Sequence, residues 1–255
     1  MAEAHVEVPL SVLAKRVRAR AHARPGRYLL GIAGPPGAGK STLSLALRDA
    51  LNATERDALD TRAPIAEIAP MDGFHLSNAA LRAGGALARK GEPDTFDAAG
   101  YVAALDALRR APLGAEVPWP TFDRAIEEPV PGGVVFTEHI VAITEGNYLL
   151  LDAELTGDPH LAPWSSVREH LDECWYLDAP RDLLATRLLD RHLRGGRTLD
   201  QARVKVDDSD LRNADLVAAT SVRADLVLCV EDGRYFTVAA NGHHFTAAAE
   251  QLAER

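Results

Sequence analysis

The string Gly34-Pro-Pro-Gly-Ala-Gly-Lys40-Ser41 constrains this chain more than any other feature. It fits G-x-x-x-x-G-K-[ST] at every fixed position. The apolar run at 28–33 precedes it and reads as a buried strand. Residues 40–51 follow it, with Leu43, Leu47 and Leu51 on one helical face. A strand that turns through glycines into a helix aims backbone N–H groups and the positive helix end at one point. Glycine lets such a loop close tightly around an anion. The pattern makes Gly34, Pro35, Pro36, Gly37, Ala38, Gly39, Lys40, Ser41 and Thr42 a candidate cradle for nucleotide phosphates. Lys40 is expected on the β- and γ-phosphates and the Ser41 hydroxyl on Mg²⁺. Lysine is scarce, with four in the chain (Lys15, Lys40, Lys90 and Lys205), so a lysine inside a motif carries weight.

Further apolar runs alternate with helical patterns. Strands are expected at 65–71, 139–144, 174–177 and 225–230, with an extended segment at 117–122 and 134–136 as its candidate partner. Helices are expected from Leu10 through Ala21 and at 81–90, 97–110 and 204–220, with another starting at Pro180 and a short one after a hairpin through Asp232-Gly233. This alternation implies an α/β fold with a mostly parallel central sheet. With the phosphate loop, the expectation is a three-layer P-loop NTPase fold, a single domain over 1–255, since no linker divides the 255 residues.

Composition removes several classes. Net charge is −9, from 28 Lys and Arg against 37 Asp and Glu, which argues against a nucleic-acid binder. Hydrophobics at 47% argue against a disordered chain. The N-terminus has no signal-peptide pattern, no run nears a membrane span, and Cys174 and Cys229 make no disulfide framework. A cytoplasmic location without membrane partners is expected, and a homodimer is compatible with this reading. Both cysteines are expected to be buried, and Trp119, Trp164 and Trp175 are expected to be core or loop anchors.

The guanine-reading string Asn-Lys-x-Asp is absent, and Asp97-Ala-Ala-Gly100 opens a helix instead of following a strand. A small-molecule kinase remains. Phosphoryl transfer to a hydroxyl needs a proton acceptor and a metal holder, and in a parallel sheet both belong at the carboxyl ends of strands. Two expected strands run into an acid followed by glycine: Asp72-Gly73 and Glu145-Gly146. Spacing alone does not say which acid does which.

Five segments occur together and in order: 34–42, Met71-Asp-Gly-Phe-His75, Lys90-Gly-Glu-Pro-Asp-Thr-Phe-Asp97, Pro120-Thr-Phe-Asp-Arg124 and Thr144-Glu-Gly-Asn-Tyr148. In these the chain resembles the P-loop kinases of the uridine kinase, phosphoribulokinase and type I pantothenate kinase group, and most of all the bacterial nucleoside/nucleotide kinase family proteins, some described as fructose-transport-system kinases. The resemblance implies ATP and Mg²⁺ as cofactors and a small-molecule hydroxyl acceptor. It implies Asp72 as catalytic base and Glu145 as the Mg²⁺-associated acid. It also makes 90–97 a substrate-side loop, where Lys90-Gly91 stands in place of the Phe-Asp of uridine kinases. His75, Lys90, Asp94, Phe96, Asp97, Phe122, Arg124 and Tyr148 are the candidate acceptor-pocket residues, with a structural hydrogen-bonded role standing as the alternative for His75.

Arg187, Arg191 and Arg194 share one helical face ahead of Gly195-Gly196 and Arg197. They suit an Arg-rich lid at about 191–207, with Arg191 stabilising the transferring phosphoryl and Arg187 on the nucleotide. A solvated face paired to Asp182 and Asp190 is the alternative. Asp208, Asp210 and Asn213 follow without an assigned role, and His243-His244 lacks a third ligand at metal spacing. The rival to an enzyme is a nucleotide-binding regulatory protein with little turnover.

Overall fold

Every residue of strand β2 (Tyr28–Ala33) is buried, as a strand covered on both faces requires. Its alternation sends Leu30 and Ile32 into one apolar cluster and Leu29 and Ala33 into another on the opposite face. The computed structural model that shows this describes residues 5–53 and 64–238. The other strands are β1 (Val6–Glu7), β3 (Ala66–Pro70), β4 (Val117–Asp123), β5 (Glu128–Phe136), β6 (Val141–Gly146), β7 (Glu173–Asp178), β8 (Leu226–Glu231) and β9 (Arg234–Thr237). The helices are α1 (Leu10–His22), α2 (Lys40–Ala53), α3 (Asn78–Ala83), α4 (Ala98–Arg110), α5 (Ala153–Thr156), α6 (Ala162–Ser165), α7 (Arg181–Arg194), α8 (Leu199–Lys205) and α9 (Leu211–Ala218).

Seven strands form one sheet in the order β1-β9-β8-β7-β2-β6-β3. From β8 to β3 the pairing is parallel, and β9 and β1 extend the β8 edge antiparallel. The apolar faces of α1, α2, α7 and α9 supply one cluster. The other takes α4, Trp119, Phe136, Tyr148 and Trp164. This is the expected α/β architecture with a mostly parallel sheet and helices on both faces. The expected pairing of 134–136 with 117–122 is present in a separate ribbon, β4 with β5, with Val117 opposite Phe136. All three tryptophans are buried.

Several local expectations change. The strand expected at 65–71 stops at Pro70, and Met71–Phe74 form a 3₁₀ turn that carries Asp72. The helix expected at 81–90 is displaced to α3, because the Ser77 hydroxyl accepts from the Ala80 N–H and caps an earlier start. The helical stretch expected at 204–220 is three pieces, with one π turn at Val206–Asp210 between α8 and α9. Cys174 is buried, but Cys229 is only half-buried, near the antiparallel edge of the sheet. The final helix and His243-His244 lie outside the described residues.

Candidate active site

Register decides where the site sits. Glu145 on β6 lies opposite Pro70 of β3 on one side and Ile32 of β2 on the other. The chain leaves β2 for the phosphate loop and leaves β3 for the Asp72 turn, so both turns flank Glu145 at the same sheet end. Gly34, Gly37 and Gly39 all have positive φ. A side chain on Gly34 would collide with the Leu177 carbonyl of β7, so this turn requires glycine.

Lys40 opens α2 and is 8% exposed. Its Nζ donates to the Pro35 carbonyl at 2.9 Å and to Asn147 Oδ1 at 2.7 Å. Both partners are neutral, and burial lowers its pKa to about 8 against the pull of Glu145 and Asp72. The Ser41 hydroxyl donates to Glu145 Oε1 at 3.1 Å. Burial first, and the charge of Asp72 second, push the Glu145 carboxyl above its ordinary range. The site thus holds a buried cation bonded to neutral groups inside a glycine-formed cradle, beside a hydroxyl and a carboxylate that prefers more positive charge. That donor set fits a polyphosphate with a hard divalent ion.

Asp72 sits on the 3₁₀ turn, with Oδ2 3.0 Å from Arg124 Nη2. The turn is held close to β4: a Cβ on Gly73 would overlap the Pro120 carbonyl, and Trp119 Nε1 donates to the Pro70 carbonyl at 3.0 Å. Beside it, the His75 ring lies between Phe96 at 3.9 Å and Phe122 at 4.6 Å between centroids. His75 Nδ1 bonds the Asp72 carbonyl at 2.8 Å, and burial lowers its pKa. Lys90 Nζ stands 4.9 Å over the Phe122 ring and donates to Asn78 Oδ1 at 2.7 Å. The buried Tyr148 hydroxyl donates to the Gly91 carbonyl, and its ring packs on Phe96.

Two of the expected pocket residues are engaged elsewhere. Asp97 caps α4 by accepting from the Gly100 N–H at 2.8 Å, which also accounts for the Asp-x-x-Gly string. Asp94 is exposed and paired with Arg89 at 2.6 Å. Asn147 was not anticipated; its place inside the Thr144–Tyr148 motif was the available signal, but its partner Lys40 is 107 residues away.

Arg187 Nη1 donates to the carbonyls of Gly37 and Ala38 at 3.2 and 3.3 Å, so the start of the basic face rests on the phosphate loop. Arg191 is close enough to Lys40 for its charge to help lower the Lys40 pKa. Arg194 instead pairs with Asp190 on the surface, as the solvated-face alternative has it. His192 Nε2 lies 2.6 Å from Asp210 Oδ2, which gives the buried Asp210 a structural partner.

No family model matches the chain. It is 32% identical to the protein YggC of Escherichia coli (strain K12) over 222 residues, covering 87% of this chain and 82% of that one. It is 34% identical to "Putative uridine kinase C227.14" of Schizosaccharomyces pombe over 209 residues, covering 79% and 83%. Among solved structures, a "putative fructose transport system kinase" from Silicibacter sp. TM1040 superposes with a TM-score of 0.74 at 38% identity, covering 86% of this chain and 98% of that one. The chain belongs to this family of P-loop kinases. Among the described residues no helix is long and apolar enough to cross a membrane.

Proposed function

We propose that the chain is an ATP- and Mg²⁺-dependent phosphotransferase whose acceptor is a hydroxyl of a small metabolite: a sugar, a nucleoside or a pantothenate-like alcohol. The relatives' names motivate that range of acceptors. The observation that carries the reading is the convergence of Lys40, Ser41, Glu145 and Asp72 at one end of β2, β3 and β6. A protein that only binds nucleotide has no use for an acid on the acceptor side.

Mg-ATP supplies the electrophilic γ-phosphorus and a metal that neutralises its oxygens. Gly34 through Thr42 would hold the phosphates, and Ser41 and Glu145 would hold the metal or its bound water. Lys40 is kept in place by Asn147 and the Pro35 carbonyl, and it presents a desolvated charge that is stronger for being out of water. Asp72 accepts the proton of the acceptor hydroxyl. Arg124, bonded to Asp72 at 3.0 Å, holds that carboxylate in place on the acceptor side. Arg187 and Arg191 add positive charge on the nucleotide side, and 191–207 serve as the lid that excludes water. His75, Phe96, Phe122, Lys90 and Tyr148 form the acceptor wall: an aromatic stack that takes an apolar or ring face, with one cation at its rim. We place the whole chain in one kinase domain.

A library of hydroxylated metabolites offered with Mg-ATP tests this, scored by ADP release and by product mass. One acceptor class should yield a product heavier by one phosphoryl group. Tight nucleotide binding with no acceptor-stimulated turnover across sugars, nucleosides and pantothenate-like alcohols would favour the regulatory-protein alternative.

A further inference from the structure

Toward the antiparallel edge of the sheet, three side chains of metal-binding chemistry gather on β8 and ahead of β1. Among the described residues, His5, Cys229 and Glu231 are the group of three or more His, Cys, Asp and Glu side chains whose ligand atoms lie within 4.8 Å of one another. His5 Nδ1 is 2.9 Å from Glu231 Oε1 and 3.9 Å from Cys229 Sγ. Cys229 and Glu231 are two apart on β8, so they share a face of the strand. His5 directly precedes β1, and that strand is pinned where it lies. Val6 pairs with Thr237, Glu7 pairs with Phe236, and the Glu7 carboxylate is 3.1 Å from Arg234. The kinase mechanism uses none of these three residues.

We propose that His5 Nδ1, Cys229 Sγ and Glu231 Oε1 form a site for one zinc-class divalent ion, with water as the fourth ligand. The donor set is the first reason. Imidazole nitrogen and thiolate sulfur with one carboxylate suit Zn²⁺ or Co²⁺, whereas Mg²⁺ and Ca²⁺ take oxygen. Spacing is the second. Ligand bonds of about 2.0–2.3 Å at tetrahedral angles put neighbouring ligand atoms about 3.3–3.6 Å apart. The 2.9 and 3.9 Å separations bracket that range and the third lies within 4.8 Å, so side-chain shifts of up to about an ångström close the site around an ion. Access is the third, since His5 and Glu231 are partly exposed and an ion can enter from solvent.

Binding is balanced in protons. Cys229 gives its thiol proton to solvent as the sulfur–metal bond forms, and the neutral His5 ring and ionised Glu231 donate lone pairs. Without the ion, partial burial together with the charges of Glu231 and Asp178 holds the thiol above its ordinary pKa. A cation at this point reverses those charge effects. The bound ion ties the segment before β1 to β8, across β9, and so clamps the chain's N-terminal strand onto the sheet.

Co²⁺ titration of the tag-free full chain, followed by displacement with Zn²⁺, tests the site by a readout independent of catalysis. One equivalent of Co²⁺ should produce a near-ultraviolet sulfur-to-cobalt charge-transfer band and the visible bands of a tetrahedral ion, both removed by Zn²⁺. Cys229→Ser should abolish the charge-transfer band. His5→Ala and Glu231→Gln, at more exposed positions, should each weaken Co²⁺ binding at least tenfold, which covers the case in which the cysteine variant does not fold. Absence of the band at stoichiometric Co²⁺ would overturn the proposal, as would a band that survives in Cys229→Ser. Unchanged affinity in both exposed variants would leave only a hydrogen-bonded surface pair and would equally overturn it.

Discussion

Lys40 Nζ donates to Asn147 Oδ1 at 2.7 Å, so the cation inside the phosphate loop is held by a neutral amide and a carbonyl, with its charge uncompensated by direct contact. The same arrangement explains its lowered pKa: burial takes the ammonium out of water, and the attraction of Glu145 and Asp72 returns only part of that cost.

This has a pH signature. The ordinary Lys value is 10.5 and the folded value is about 8. Between the two, the unfolded chain carries a proton that the folded chain has lost. The Lys40 contribution to stability therefore rises as pH climbs through that window, and it falls as pH drops through about 8. A polyphosphate anion in the cradle favours the protonated lysine. Nucleotide binding without Mg²⁺ at about pH 8.5 should thus take up about three quarters of a proton, read as a dependence of the calorimetric enthalpy on buffer ionisation heat. Lys40→Met should remove the uptake and abolish turnover with the fold intact. Near-wild-type turnover in that variant would sink the phosphate-loop assignment.

Gly73 lies within the Asp72 turn, where that turn packs against β4. It has no positive φ; its requirement is space, because a Cβ would overlap the Pro120 carbonyl and approach Thr121 N to 2.9 Å. Gly73→Ala must push the turn off β4. It should cost about 2–3 kcal/mol in urea unfolding, in the range of overpacked sites. It should lower kcat more than nucleotide affinity. Gly84→Ala is the matched control. Its Cβ would meet only Ala80 O at 3.6 Å, an ordinary contact, so stability should stay within about 0.5 kcal/mol. Equal effects from the two variants would show that the close approach to β4 is not what places Asp72.

Much of the nucleotide side was legible because its requirements are local. A glycine pattern between a strand and a helix is visible in eight consecutive residues, and strand ends reveal Asp72 and Glu145. The links across the site were not legible. Arg124 meets Asp72 across 52 residues, and Asn147 meets Lys40 across 107, distances at which only the fold brings side chains together. Residues 153–170 gave no signal, because they form short turns of helix (α5, α6 and 3₁₀ pieces) that are too brief for a 3.6-residue period to show. Asp97 read as a pocket residue because its motif suggested one; the N-cap of α4 supplies a simpler use for the same carboxylate.

That difference between Asp97 and Lys90 can be measured. Asp97→Ala removes a helix cap and should cost about 1 kcal/mol of stability while leaving the acceptor KM unchanged. Lys90 presents its ammonium over Phe122, with neutral oxygens as its hydrogen-bond partners. Lys90→Ala should raise the acceptor KM far more than the ATP KM, since it removes binding on one side of the transfer. A rise in the ATP KM alone would move Lys90 off the acceptor side, and a raised acceptor KM in Asp97→Ala would return that carboxylate to the pocket.

The two central acids separate by the same logic. Asp72 is on a turn, paired with Arg124 at 3.0 Å and adjoining the aromatic wall. Glu145 lies within β6, where the Ser41 hydroxyl reaches it at 3.1 Å. These placements are why we propose that Asp72 faces the acceptor and Glu145 the metal. Asp72→Asn keeps the shape of the side chain but removes its ability to take a proton. It should cut kcat by roughly 10²–10⁴, the usual worth of a general base, with ATP affinity nearly unchanged. Glu145→Gln keeps the contact to Ser41 but offers a hard cation or its bound water a weaker partner, so the Mg²⁺ dependence should shift to higher concentration. Because burial and Asp72 raise the Glu145 pKa, protonation weakens Mg²⁺ binding as pH falls through that raised value. Wild type should need more Mg²⁺ at lower pH, and Glu145→Gln should lose that dependence. Measuring kcat against Mg²⁺ concentration at two pH values for both variants decides the assignment. Rescue of Asp72→Asn by excess Mg²⁺, with Glu145→Gln unresponsive, would reverse the roles; full activity in both would place the chemistry elsewhere.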